Sequence, residues 1–367
     1  MVSNPISSPS SRYRFKGKKG GEWDYGTELM KALYSGRSSL TDESIQADFL
    51  DWILTDKVNV FRNRETRELV YALVSKRGNS LYAAKKNETL NEIIEAANNS
   101  VLDFPVDGLR DSKFRMTKVL FFTLTFSHKR YSQEEAWSML RSTPIEDCSN
   151  QCGILNKFGA NITSIFGGNG KLTCKESDSR GYPAPHVIVI LDRPVFVKRH
   201  IGKDGTVSWR LADRHFLQRV GKDLASRSKS WNDVEAANAN NPIWPYGLMD
   251  VQGIVKDSKF GRFSNGFTYL FKYLIKTVSL EKFPQLNDLS SFTDYSDKSL
   301  RTMMFTHLGN KCFRTRDIVF GKAFKDRLGI MKKEPYSPSG QWERLKTIPE
   351  TLAEYIQRRS SEKSDPS

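Results

Sequence analysis

Cysteine is scarce in this chain: only Cys148, Cys152, Cys174 and Cys312 occur in 367 residues. Four thiols in so long a sequence cannot supply the disulfide framework of a small secreted domain. Cys148 and Cys152 are spaced CxxxC, but no second pair of ligands at matching spacing accompanies them, so free thiols are expected rather than a zinc site. Long apolar runs are missing as well. No stretch approaches the roughly 20 apolar residues that cross a bilayer, and the first residues lack the charged-then-apolar order of a secretory leader. There is no GxxxxGK[ST] loop to cradle a nucleoside triphosphate, which argues against a fused helicase. No internal repeat is visible. The expectation is a soluble, cytoplasmic protein.

Acidic residues are also in deficit. Asp and Glu number 42 against 57 Lys and Arg, a formal net charge of +15 and a pI of about 9.5. Such a balance is the electrostatic footprint of a polyanion binder, with nucleic acid the leading partner and an anionic membrane surface the alternative.

Residues 1–22 interleave cations and aromatics, Arg12-Tyr13-Arg14-Phe15-Lys16, among Ser, Pro and Gly. This basic arm has too little apolar area to fold alone; it either grips DNA backbone or solubilises the chain. Residues 23–112 form an accessory region with helices expected at 28–34, 42–54 and 90–98, while 58–83 reads equally as a hairpin or a helix pair. From residue 113 the pattern turns β-rich. Val119 to Ser127 ends in alternation that sets Thr123, Thr125 and Ser127 on one face against Leu124 and Phe126. Helices are expected at 132–140, opened by Ser132 as N-cap, and at 156–166. Strands at 171–176 and 186–192 flank a Ser-Asp-Ser-Arg-Gly loop. A helix at 213–230, a strand near 247–255 and a helix at 267–280 complete a unit spanning 113–282. A helical region at 283–359, with helices at 320–328 and 349–359, and a polar tail at 360–367 follow.

Two groups of residues carry chemistry. In the expected hairpin, Leu172, Cys174 and Glu176 share one face of the first strand, and Ala184, His186 and Ile188 one face of the second. Glu176 and His186 can then sit side by side, a carboxylate and an imidazole suited to Mn²⁺ or Mg²⁺ when phosphate and water complete the shell. The second group lies in Tyr269-Leu270-Phe271-Lys272-Tyr273-Leu274-Ile275-Lys276. On a helix, Tyr269, Lys272, Tyr273 and Lys276 share a face, and the apolar residues take the other. Packing tyrosines belong on the apolar stripe, and these lie opposite it. A phenol can attack a phosphodiester when nearby cations neutralise the phosphate. Lys272 and Lys276 either steady the phenolate and phosphate or contact DNA backbone.

The strand Phe122-Thr123-Leu124-Thr125-Phe126-Ser127, then Glu176 with Gly181-Tyr182-Pro183-Ala184-Pro185-His186, then the Tyr269–Lys276 segment resemble, in order and spacing, three successive motifs. These belong to rolling-circle replication initiators of the HUH endonuclease superfamily. The match spans about 118–280, and the tyrosine pair is similar to the two-tyrosine group, which includes gene A proteins of single-stranded DNA phages and initiators of archaeal plasmids and viruses.

What the resemblance implies is an α+β fold: a five-stranded antiparallel sheet flanked by helices, with helical additions at both ends. It implies attack by one tyrosine on single-stranded origin DNA, leaving a 5′-phosphotyrosine and a 3′-hydroxyl that primes synthesis. The second tyrosine then closes the circle. Host replication proteins are conceivable partners. One departure stands out, because Ala184 occupies the position of the family's first metal-binding histidine. The site would then use Glu176 and His186, with Asp250, Gln252 and His128 as candidates for one further ligand. Two rival readings share the fold: a DNA-binding regulator that no longer cleaves, and a transposase or relaxase of the same superfamily.

Overall fold

The computed structural model describes residues 55–76, 79–100, 103–105, 113–141, 153–167, 170–178, 180–205, 207–212, 241–256, 298–313, 315, 318–330 and 340–351. The basic arm, Cys148, Cys152, the helices expected at 28–34, 42–54, 213–230 and 267–280, and the tail at 360–367 lie outside these residues.

The ambiguous stretch at 58–83 resolves into a hairpin, β1 (Thr55–Asn63) and β2 (Leu69–Leu73), followed by α1 (Ser80–Ser100). Asn63 makes the turn by accepting the backbone N–H groups of Glu65 and Thr66 at 2.9 and 3.2 Å, the side-chain mimicry that suits Asn to turns. A third strand, β10 (Trp342–Thr351), pairs antiparallel with β1. Residues 349–351 are therefore the end of a strand, not the start of a helix. Pro349 faces Lys57 in that ladder and is tolerated because β10 is an edge strand, where a missing N–H breaks no further pairing.

The larger sheet has seven strands, all paired antiparallel: β3 (Asp103–Pro105), β4 (Phe114–Leu124), β5 (Gly170–Ser177), β6 (Pro183–Ile201), β7 (Val207–Leu211), β8 (Met249–Ile254) and β9 (Ile318–Phe320). The fold is α+β. Across the part that matters for the site, ladders connect β8, β4, β6, β5 and β9 in that order. β6 does not stop at Asp192. Its register against β4 shifts between Thr117 and Val119, a bulge that accommodates Pro194, and the strand runs on to Ile201.

Helices cover both faces, as alternation in the strands requires. On one side α2 (Gln133–Met139) and α3 (Ile154–Phe166) pack on Leu120, Phe122, Leu124, Val187 and Val189. α2 begins at Ser132, the expected N-cap, whose hydroxyl and backbone N–H both engage Glu135 in a capping box. Along α3 the buried residues Ile154, Phe158, Ile162 and Phe166 recur every four positions, a single apolar stripe. On the other side Leu90, Ile93 and Ala97 of α1 join Val119, Phe121, Ile188 and Ile190. Phe324, from α5 (Lys322–Arg327), closes the same core. α4 (Lys298–Phe313) lies along β5, where Thr306 Oγ1 accepts the Ser177 backbone N–H at 2.9 Å. No described helix is long and apolar enough to cross a membrane.

Candidate metal centre

Both hairpin residues singled out by the sequence come together. In the β5–β6 ladder Cys174 faces His186 and Glu176 faces Ala184, so Glu176 and His186 are diagonal neighbours rather than a directly opposed pair. The diagonal closes to 3.6 Å between Glu176 Oε2 and His186 Nε2. That is longer than the roughly 2.7–3.2 Å of an N–H···O hydrogen bond. Glu176 is 4% and His186 8% exposed. Glu176 Oε1 is buried with no hydrogen-bond partner among the described residues. Leaving a buried polar oxygen without a partner costs about 1–3 kcal/mol, which a bound cation would offset.

The imidazole is held from its other side. Thr123 faces His186 across the β4–β6 ladder, and Thr123 Oγ1 lies 3.2 Å from His186 Nδ1. Phe121 stacks on the ring at 5.6 Å and 11°. When Nδ1–H donates to the threonine, Nε2 keeps its lone pair and presents it beside the carboxylate, which is how an outer partner orients a ligating histidine. The sequence placed Thr123 on the working face, but only strand pairing reveals that it holds His186.

The substitute ligands do not complete a shell. Asp250 faces Thr123 in the β4–β8 ladder, so a strand separates it from His186, roughly 10 Å at about 4.8 Å per strand. Gln252 Nε2 donates to Asp250 Oδ2 at 2.7 Å, tying these two residues to each other. His128 goes elsewhere: its Nε2 is 3.4 Å from Asp178 Oδ2, Arg180 Nη1 is 3.2 Å from its Nδ1, and its ring stacks on Tyr182 at 3.9 Å. Among the described residues no three His, Cys, Asp or Glu side chains gather as a metal site. Among the described residues the two side chains placed to hold an ion are Glu176 and His186. Two suffice for a hard divalent ion that keeps water and substrate phosphate as its remaining ligands.

His128 instead fastens the turn between β5 and β6. Asp178 Oδ1 accepts the backbone N–H groups of Arg180 and Tyr182 at 2.8 and 3.0 Å. Gly181, at φ +90°, occupies conformational space that other residues rarely adopt. Its carbonyl accepts Trp137 Nε1–H at 3.0 Å, and the Gln133 amide donates to the Arg180 carbonyl. Burial, reinforced by the Asp178 and Glu135 carboxylates and opposed by Arg180, raises the Tyr182 phenol above its usual pKa. Tyr182 is therefore a neutral stacking and packing group near neutral pH.

On the far side of β4, Trp244 Nε1 donates to the Thr125 carbonyl at 2.8 Å. Gly247 lies so close that a Cβ there would fall 2.3 Å from the same oxygen. This docking sets the start of β8 and with it the position of Asp250. Tyr269, Lys272, Tyr273 and Lys276 lie outside the described residues.

No protein-family model, curated protein or solved structure matches this chain.

Proposed function

We propose that this chain nicks and rejoins single-stranded DNA at a replication origin, as the initiator of a small plasmid or virus acting inside the cell. The observation that carries the reading is the buried Glu176–His186 pair, with one carboxylate oxygen bare and the imidazole steadied by Thr123. In this reading β8-β4-β6-β5-β9 with its flanking helices is the HUH-type nuclease core. A Mg²⁺ or Mn²⁺ ion held by Glu176 and His186 would supply positive charge against the scissile phosphate.

The reaction belongs to the tyrosines. The phenolic oxygen of Tyr269 or Tyr273 bonds to phosphorus, the bond from phosphorus to the 3′-oxygen breaks, and the departing oxygen takes up a proton as the 3′-hydroxyl. Residues four apart on a helix have Cβ atoms about 5–6 Å apart, so both phenols can serve one site in turn. Lys272 and Lys276 neutralise the phosphate. Origin DNA is the substrate, and the net charge of +15 supports its capture.

Ala184 favours a second reading, a DNA-binding regulator without cleavage, because methyl cannot replace an imidazole ligand. Incubating the chain with single-stranded DNA and Mn²⁺ separates the two. An adduct that survives denaturant and maps to Tyr269 or Tyr273 supports the nuclease; bound DNA with no adduct supports the regulator.

A further inference from the structure

The distal half of β6 leads away from the Glu176–His186 pair. Its ladder with β4 ends at Phe114 and Lys198, and the Arg199 N–H donates to the Lys113 carbonyl at 2.7 Å, the last bond on that side among the described residues. Beyond this, among the described residues, β6 pairs only with β7, through His200–Ser208 and Ile201–Val207. A two-stranded ribbon therefore overhangs the sheet. Ile201 and Val207 face each other at its end and are 58% and 45% exposed. These are apolar side chains where a solvated hairpin tip would carry polar ones.

Charge on the ribbon is one-sided. Residues 193–212 hold Arg193, Lys198, Arg199, Lys203 and Arg210 against the single carboxylate of Asp204. At the base of the ribbon Lys198, which also pairs with Phe114 of β4, faces Arg210, which also pairs with Gln252 of β8, and on the other side Arg199 faces Trp209. No described carboxylate is ion-paired with Lys198, Arg199 or Arg210. Two like charges directly opposed on a ladder are destabilising, and a bound anion would relieve the Lys198–Arg210 repulsion.

We propose that this ribbon grips duplex DNA, entering a groove with Lys198, Arg199, Lys203 and Arg210 on the phosphates and the Ile201–Val207 end against the bases or sugars. Two observations favour a duplex over a single strand. A two-stranded antiparallel ribbon has the width that the major groove admits. Cations lie on both sides of the ribbon, matching a groove with phosphates along both walls, whereas a single strand follows one face. The proposal rests on the DNA-processing reading and adds a second contact: His186 is on the order of 50 Å of extended strand from Ile201, so duplex flanking a single-stranded site could be held while the strand reaches Glu176.

The test uses the full chain, a fluorescent DNA duplex and a single strand of equal length, with anisotropy read across a salt series. Lys198→Ala/Arg199→Ala/Arg210→Ala should weaken duplex binding on the order of tenfold or more and lower the slope of log affinity against log salt by about two to three. Single-strand affinity, and adduct formation on a short single-stranded oligonucleotide, should be unchanged. Ile201→Thr/Val207→Thr keeps β-branched residues at exposed positions and so carries the test if the triple variant fails to fold. It should weaken duplex binding without altering the salt slope. Equal losses on both DNAs, or no loss on the duplex, overturn the proposal. A wild-type chain that forms no adduct yet still prefers the duplex through these residues counts against the nuclease reading alone.

Discussion

Gly309 of α4 lies directly against the indole of Trp137: a Cβ added to the glycine would fall 2.2 Å from Trp137 Cε2. The same indole donates to the Gly181 carbonyl in the turn that joins the strands of Glu176 and His186. Helix contact and site geometry are thus mechanically linked. Gly309→Ala should destabilise the fold by about 1–3 kcal/mol, the usual cost of overpacking, and should weaken Mn²⁺ binding beyond what the stability loss explains. Thermal melting and calorimetry check both; an unchanged melting temperature would show that the helices separate freely.

His186→Ala should abolish high-affinity Mn²⁺ binding, and Glu176→Gln should do the same while keeping the side chain's shape. Unchanged affinity in His186→Ala would remove the metal centre. Ala184→His should act in the opposite direction. Ala184 faces Glu176 in the ladder, so an imidazole there joins the existing pair, and affinity should rise by about tenfold or more, the scale of a good ligating contact. Isothermal calorimetry across the three variants decides the matter.

Thr123→Val keeps the branched shape and removes the hydroxyl 3.2 Å from His186 Nδ1. Loss of such an outer partner typically costs about 10–100-fold in metal affinity. The Nδ1 signal of His186 in ¹⁵N NMR should move as well, a change that a purely packing role for Thr123 would not produce.

Lys171 gives a pH dependence with a defined sign. Its ammonium donates to the Leu155 carbonyl and to Asn156 Oδ1, and burial lowers its pKa from 10.5 to about 8. Between those two values the unfolded chain binds more protons than the folded one, so this group makes stability rise with pH through that window. Below it both states are charged and the burial penalty is complete. Relative to Lys171→Met, the wild-type melting temperature should climb from about pH 8 to pH 10.5 and run parallel below about pH 7. A constant difference across the whole range would contradict the assigned burial effect.

The tyrosines divide the work or they do not. Tyr269→Phe and Tyr273→Phe should each retain some adduct formation or transfer, and the double variant none. Cleavage by a folded double variant, or an adduct mapped to another residue, would end the nuclease assignment.

Much of the candidate site was legible in the sequence because the period of a strand fixes which side chains share a face. Alternation placed Glu176 and His186 on one face of a hairpin, and Ser132 as N-cap announced the start of α2. Register was not legible. Whether Glu176 opposes His186 or sits diagonally depends on one residue of loop length, and the Asp178 turn that sets it is built from Gln133, Trp137 and His128, remote in sequence. For the same reason His128 and Asp250, plausible ligands by type, belong to other contacts. Two element ends were misjudged near prolines. The strand expected to stop at 192 runs on past Pro194 through a bulge, and Pro349, expected to open a helix, lies in an edge strand whose partner is in the first quarter of the chain.

That partnership between β1 and β10 dictates an order of events during synthesis. Thr347 Oγ1 donates to Asn59 Oδ1 across 288 residues of sequence. At about 5–20 residues per second, translation leaves β1 without its second neighbour for roughly 15–60 s. The β1–β2 hairpin must spend that interval with an open edge on the nascent chain, and the small sheet can lock only after nearly everything between its strands has been made.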